Sequence, residues 1–250
     1  MVESSRRRGP GTSRPRLVAL DNHTPSAGGE DDKRQAQPAV RDLSAEAYTR
    51  LREAIRDGAL VPGTRIIEAE LSDYLKMSRT PVREAIYRLE ADGLLNHEPR
   101  VGLSVTRLDH PMMMELYTLR ETLEGTAARL AAQHASDAEI EALRDMISME
   151  PSLSGNSRAL QQLNRRIHRL ISLAAHNRYL VRTLDIVATT LSLLPTALAD
   201  ADRARTVHSE HVAVLEAIRN RNPEAAERAA REHIDSSRKH RLTQFVQKES

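Results

Sequence analysis

Met77-Ser78-Arg79-Thr80-Pro81-Val82-Arg83-Glu84-Ala85-Ile86-Tyr87-Arg88-Leu89-Glu90 is the stretch whose reading decides the fold. Val82, Ala85, Ile86 and Leu89 recur at helical spacing and make one apolar stripe. Arg79, Thr80, Arg83 and Tyr87 lie off that stripe, with Arg79 and Arg83 one turn apart. Ser78 or Thr80 can cap the start, and Pro81 is tolerated because it falls in the first turn, where a missing N–H leaves no helical bond unmade. An apolar-backed helix with arginines near its N-terminus suits the major groove, where arginine can bond guanine in bidentate fashion. A solvated charged face gives the same pattern, so the neighbouring elements must decide.

Upstream, Ser44 can cap a helix through about Asp57, with Ala47, Leu51, Ala54 and Ile55 inward and Gly58 as its stop. Leu60-Val61-Pro62-Gly63 reads as a turn, and a second short helix over about 68–76 turns Leu71 and Leu75 inward. Downstream of Gly93, two short extended runs, 94–97 and 103–106, flank Pro99-Arg100-Val101-Gly102 and predict a hairpin. Three short helices and a hairpin make a winged helix-turn-helix over residues 41–108. Basic and acidic side chains are about equal in number between 44 and 107, so DNA binding here depends on where Arg79, Arg83 and Arg100 point.

The composition agrees with a helical protein. Among 250 residues, aromatics are 2%, with no Trp and one Phe, so the cores must be built from Leu, Ile, Val, Ala and Met. A net charge of +2 forces no global nucleic-acid reading. The absence of Cys excludes disulfides and thiolate metal sites and fits a reducing compartment. No run approaches the roughly 18 apolar residues of a membrane span, and Met1 is not followed by a signal core. The expectation is a soluble, cytoplasmic protein with no membrane partner. Residues 1–40 are rich in Arg, Pro, Gly, Ser and Asp, carry no periodic apolar pattern, and predict a disordered tail in which Arg6-Arg7-Arg8 is a solvated charge run.

From residue 109 to 245 helical patterns run almost without break: about 110–134 (Leu116, Leu119, Leu123, Ala127 and Leu130 inward), 136–149, 157–175, 178–199, 201–221 and 223–247. Asn222, Pro223 and Glu224 mark the start of the last. The second domain is therefore expected to be an antiparallel bundle of about six helices, making the whole chain mainly α.

Three histidines sit where that bundle should be apolar. His168 follows Asn164 by one turn on the side of Leu163, Ile167 and Ile171; His211 is in step with Val207, Val214 and Ile218; His233 lies with Ala226, Ala229, Ala230 and Ser237. Burying an imidazole costs roughly 1–3 kcal/mol unless it is bonded. One such histidine is ordinarily a satisfied core residue. Three, on three helices, suit a divalent metal with an open position, an amide or carboxylate oxygen completing the set. His134 and His176 sit at helix ends, His208 precedes His211 by most of a turn and His97 lies in the hairpin. On the long helix, Arg120 and Glu124 are one turn apart: either a surface ion pair, or an arginine directed inward to hold an anion.

Both halves resemble one family, the GntR-type transcriptional regulators of the FadR subfamily with a FadR C-terminal (FCD) ligand-binding domain. The resemblance covers about residues 43–240. It rests on Leu60-Val61-Pro62-Gly63, Glu68-Ala69-Glu70-Leu71, Ser78 through Ile86, Leu89 through Leu94 and Gly102. In the second half it rests on Arg120-Glu121-Thr122-Leu123-Glu124, Ala127 through Ala132, Asn164 through His168, Glu210-His211, Asn222 through Ala226 and Glu232-His233. It implies a homodimer on a palindromic double-stranded DNA operator, usually as a repressor. Arg79, Thr80 and Arg83 match DNA-contacting positions and Gly102 the wing tip, with Ser78 and Arg100 beside them. It also implies a divalent metal held by Asn164, His168, His211 and His233, zinc foremost, with nickel or manganese as alternatives. A small organic acid would bind beside it at Arg120 and Glu124. Three departures stand out: Asn164 where Asp is usual, Ile167 where Phe is usual, and Ala69 where some relatives carry a DNA-contacting arginine. The residues alone also allow a metal-dependent hydrolase built on the histidines, and a purely structural histidine cluster in a bundle serving only dimerisation and an apolar effector.

Overall fold

The computed structural model describes residues 40–249 apart from Pro195, Ala197 and Ala199; the backbone alone is described for 40–42 and 245–249. The tail expected over 1–40 lies outside the described residues, except that Val40 already belongs to the first helix. The chain forms two units: residues up to Glu90 with Leu95–Val105, and Ala91–Leu94 with Thr106 onward.

The first unit contains helices α1 (Val40–Arg56), α2 (Glu68–Leu75) and α3 (Arg79–Ala91), then strands β1 (Leu95–Glu98) and β2 (Gly102–Val105). Ala47, Leu51, Ala54 and Ile55 of α1, Leu71 and Leu75 of α2, and Val82, Ala85, Ile86 and Leu89 of α3 are buried, as their periodicity predicts. Gly58, at φ +78°, ends α1 with the paired bonds of a Schellman motif: Ala59 N–H to Ala54 carbonyl (2.8 Å) and Gly58 N–H to Ile55 carbonyl (3.1 Å). The strands pair antiparallel from Leu95–Val105 to Glu98–Gly102, and Gly63 and Ile66 donate to Val105 and Leu103, so the Leu60–Ile66 segment runs beside β2.

Ser44 does not cap α1. The helix begins earlier, and Ser44 is a buried interior residue whose hydroxyl donates to the Glu84 carboxylate of α3. Tyr48, one turn on, lies under the Arg88 guanidinium at 4.1 Å from its ring centre. Polar side chains as well as the apolar stripe therefore bind α1 to α3.

The second unit contains α4 (His110–His134), α5 (Asp137–Ser148), a 3-10 turn at Pro151–Leu153, α6 (Ser157–Ala174), α7 (Arg178–Leu191), α8 (Ala201–Arg219) and α9 (Pro223–Glu249). Asp109 caps α4, and Ser136 with Glu139 forms a reciprocal capping box on α5. Helix α4 packs against α6, α7, α8 and most extensively α9. Small residues make this possible: Ala127, Ala128 and Ala131 face Ala226 and Ala230 in one apolar core, and a Cβ at Gly125 would stand 2.9 Å from Arg231 Cγ of α9.

Two expectations fail here. Helix α7 ends at Leu191 rather than Ala199. Leu193 and Leu194 already bond three residues back, and proline at 195 offers no N–H and disfavours helix in the residue before it. The inward face of α4 is also rotated from the leucine row: Met113, Tyr117, Arg120, Ala127 and Ala131 are buried, while Leu119 is 47% exposed and Leu116, Leu123 and Leu130 are only partly covered. The spacing 113, 117, 120, 124, 127, 131 is a regular helical seam, but its central members are an arginine and a glutamate, so a search for apolar residues follows the neighbouring row.

Candidate metal centre and DNA-reading face

Each histidine is supplied by a different helix of the second unit: His168 by α6, His211 by α8 and His233 by α9. The apolar positions that fix the phase of each helix also direct its histidine inward. Their ring centres lie 4.8–5.4 Å apart, and one ring nitrogen from each falls within 4.8 Å of the others. His211 and His233 are buried.

Each Nδ1 meets a carboxylate. His168 Nδ1 pairs with Glu124 Oε2, His211 Nδ1 with Glu150 Oε1 at 2.7 Å, and His233 Nδ1 with Glu210 Oε2 at 2.7 Å. A carboxylate on Nδ1 fixes the proton there and leaves Nε2 as an acceptor. His168 Nε2 and His233 Nε2 then face each other at 3.3 Å, and His211 Nε2 is buried with no hydrogen-bond partner among the described residues. Three converging lone pairs are mutually repulsive without a cation. The donor set fits a divalent metal with nitrogen ligands.

Electrostatics favour the same occupancy. Burial pushes the His233 pKa down to about 3, with help from His211, His168 and Arg120, against the opposing pull of Glu210. Burial likewise lowers that of His168, although Glu124 opposes it. Both imidazoles are thus neutral and ready to ligate at neutral pH. For the supporting acids, burial would raise the pKa, but their partners win: Arg120 and His168 hold Glu124 far below the carboxylate range, His211 and His208 lower Glu150, and His233, Ser236 and Arg203 lower Glu210.

A cavity of about 1000 Å³, its mouth included, opens beside the histidines. Asn164, His168 and His233 line it, as do Arg120 and Glu124, while His211 does not. Arg120 is buried, pairs with Glu124 Oε1, and brings Nη2 to 3.4 Å from His168 Nε2. The arginine therefore borders the histidine centre, whereas both oxygens of Glu124 are engaged within the protein. Sequence reasoning missed Glu150 as a participant, and it missed that Glu210 supports His233 rather than its neighbour His211. Neither carried a signal: Glu150 is a lone acid between α5 and the 3-10 turn, and the Glu210–His233 pairing joins two helices. Arg203, which bonds Glu210 and the hydroxyls of Ser236 (2.7 Å) and Ser237 (2.8 Å), was also missed.

In the first unit, Ser78, Arg79, Thr80, Arg83 and Tyr87 are all exposed on one side of α3, opposite its buried stripe. Arg83 is bonded to Glu68 of α2. At the hairpin tip, Val101 N–H closes a turn on Glu98 carbonyl (3.2 Å), with Pro99 second and Arg100 third at φ +67°. That third place needs positive φ and is normally taken by glycine or asparagine in a type II turn. Gly102, at φ +87°, follows at the start of β2, and both it and Arg100 are exposed.

Residues 43–105 match the sequence profile of the bacterial regulatory proteins, gntR family, and residues 115–236 match that of the FCD domain. The chain belongs to the GntR family. It is similar to the HTH-type transcriptional regulator YdhC of Bacillus subtilis (strain 168), at 31% identity over 77% of this chain and 88% of the relative. It is also similar to a probable D-xylose utilization operon transcriptional repressor of Paenarthrobacter nicotinovorans, at 31% identity over 72% and 80%. The solved structure of E. coli McbR/YncC shares the fold, with a TM-score of 0.70 and 20% identity over 83% of this chain and 99% of that one. This GntR protein is a DNA-binding transcription regulator and not an enzyme, and none of these likenesses supports the hydrolase alternative. No helix among the described residues is long and apolar enough to cross a membrane.

Proposed function

We propose that the chain is a metal-containing, effector-responsive repressor that binds a palindromic operator as a homodimer. One observation carries the metal and effector parts. Three Nε2 atoms converge, one of them buried and partnerless, beside an arginine that lines a cavity large enough for a small ligand. His168, His211 and His233 would hold the ion, zinc foremost, with Asn164 lining the cavity one turn from His168 to complete the set. A bound cation offers an open position to a carboxylate, and Arg120 supplies the second attraction. An organic acid would thus be anchored to α4, α6, α8 and α9 together. Such a ligand shifts the regulator between states only by binding one of them more tightly. The half-exposed leucine flank of α4, centred on Leu119, supports a second copy of the chain as the cover.

The deciding experiment is elemental analysis of untagged protein purified without chelator, with His211→Ala alongside. About one metal ion per chain in the native protein and a clear loss in the variant supports the centre. Metal-free native protein that stays metal-free after dialysis against zinc overturns it. Operator binding is read by gel shift on duplex selected from random sequence, with sedimentation reporting two chains per duplex.

A further inference from the structure

The cavity beside the histidines is markedly basic. Five arginines line it, Arg120, Arg165, Arg169, Arg203 and Arg241, against two carboxylates, Glu124 and Asp185. Four of the five are engaged: Arg120 with Glu124, Arg169 with Asp185, Arg203 with Glu210 and two serines, and Arg165, which also has a partner. Arg241 differs. Its exposure is 9%, and among the described residues its buried Nε has no hydrogen-bond partner and no carboxylate pairs with its guanidinium. An enclosed cation without a counter-charge is costly, and a ligand carboxylate in the cavity would supply the missing charge.

The location gives this charge a meaning. His233, Ser237 and Arg241 follow one another at four-residue intervals along α9, and all three line the cavity. Arg241 stands two turns beyond His233, about 12 Å along the axis. Helical side chains lean towards the N-terminus, which brings the guanidinium back towards the histidines. The cavity thus has an anion-attracting group near each end of this stretch: Arg120 of α4 beside the histidine centre, and Arg241.

We infer that Arg241 is a second anion subsite and that the effector is a small dicarboxylate, one carboxylate at the histidine end and the other on Arg241. The inference rests on the effector reading above and deepens it. Arg241 selects by charge at the far end of the ligand: a monocarboxylate of equal length leaves the guanidinium buried and unpaired, whereas a diacid neutralises it through planar bidentate bonds. Arg241 also weighs on the ligand-free protein, because its charge is then uncompensated.

The test uses full-length, zinc-loaded protein titrated calorimetrically with glutarate and adipate, and with pentanoate and hexanoate as the length-matched monoacids. At least one diacid should bind ten-fold or more tightly than its monoacid. Arg241→Met should erase that ratio while leaving monoacid affinity within about two-fold, and Arg241→Lys should retain part of it. Without ligand, Arg241→Met should melt higher than the native protein, which a merely structural arginine would not allow. Equal binding of diacid and monoacid by the native protein overturns the second subsite alone, as does a parallel loss of both in Arg241→Met. Binding of none of the four acids overturns the subsite together with the carboxylate reading of the cavity.

Discussion

Arg83 of α3 donates through Nε to Glu68 Oε2 at 2.9 Å and through Nη2 to Oε1 at 2.8 Å, a bidentate pair on the exposed side of that helix. Exposed pairs of this kind contribute little to stability. The consequence is positional: the guanidinium is held by α2, with Glu68 occupying the fork that a guanine edge would use. The same contact lowers the Glu68 pKa, chiefly through the Arg83 hydrogen bond.

This relationship gives opposite expectations for its two members. Arg83→Ala should weaken binding to a selected operator by roughly ten-fold or more and relax preference at one base position. Glu68→Gln, which frees Arg83 and removes a negative charge near the phosphates, should strengthen binding to random duplex at low salt. Neither should move the thermal midpoint appreciably. Gel shifts across a salt series check both; weaker random-duplex binding in Glu68→Gln contradicts the competition.

The carboxylates behind the histidines can be tested without touching a ligand atom. Glu150→Gln and Glu210→Gln leave all three imidazoles in place but remove the charge that orients His211 or His233. Losses of this kind typically cost 10–100-fold in metal affinity. Competition against a chromophoric chelator should show such a drop for each variant, with helicity by circular dichroism unchanged. Affinity equal to that of the native protein would remove these acids from the account of the site.

Acidity should weaken the metal-free protein in a defined window. His233 is held neutral with its pKa down at about 3, while an unfolded histidine titrates near 6.5. Between those values the unfolded chain takes up a proton that the folded chain refuses, so stability falls as pH falls through the window and is fully present above it. Protonation of Glu124, Glu150 and Glu210, all depressed in the fold, adds a loss of the same sign at the acid end. Thermal melts of chelator-treated protein between pH 7.5 and 4.5 should show a steadily falling midpoint. A midpoint that rises below pH 6 contradicts the neutral assignment.

Periodicity reveals what hydrophobicity controls. The inward faces of α1, α2, α3, α6 and α8 were legible because apolar residues at helical spacing have one way to be buried, and the three histidines stood out as exceptions to that rule. The same logic fails on α4, where Arg120 and Glu124 occupy the seam and the leucines beside them do not. It fails for Ser44, which resembles a cap in sequence but is buried through a long-range bond to Glu84. It says nothing of Glu150, Glu210 and Arg203, because a buried carboxylate that orients an imidazole on another helix leaves no local pattern. The three histidines were therefore readable, and the groups that position them were not.

Asn164 offers the last test, since an amide stands where a carboxylate is usual in the family the chain resembles. It lies one turn before His168 and lines the same cavity. As the fourth ligand proposed above, its neutral oxygen would give the centre one negative charge less than a carboxylate, weakening attraction for a dication and preserving more positive charge for an incoming acid anion. Asn164→Asp should therefore tighten zinc binding by about ten-fold or more, since one added charge at close range is worth at least 1.4 kcal/mol even with strong screening. The same substitution should weaken carboxylate binding, because the new charge repels it and reduces the Lewis acidity left for it. Zinc competition and acid titration on one preparation read both effects. Tighter zinc with unchanged acid binding would separate the two sites, and unchanged zinc binding would place Asn164 outside the coordination sphere.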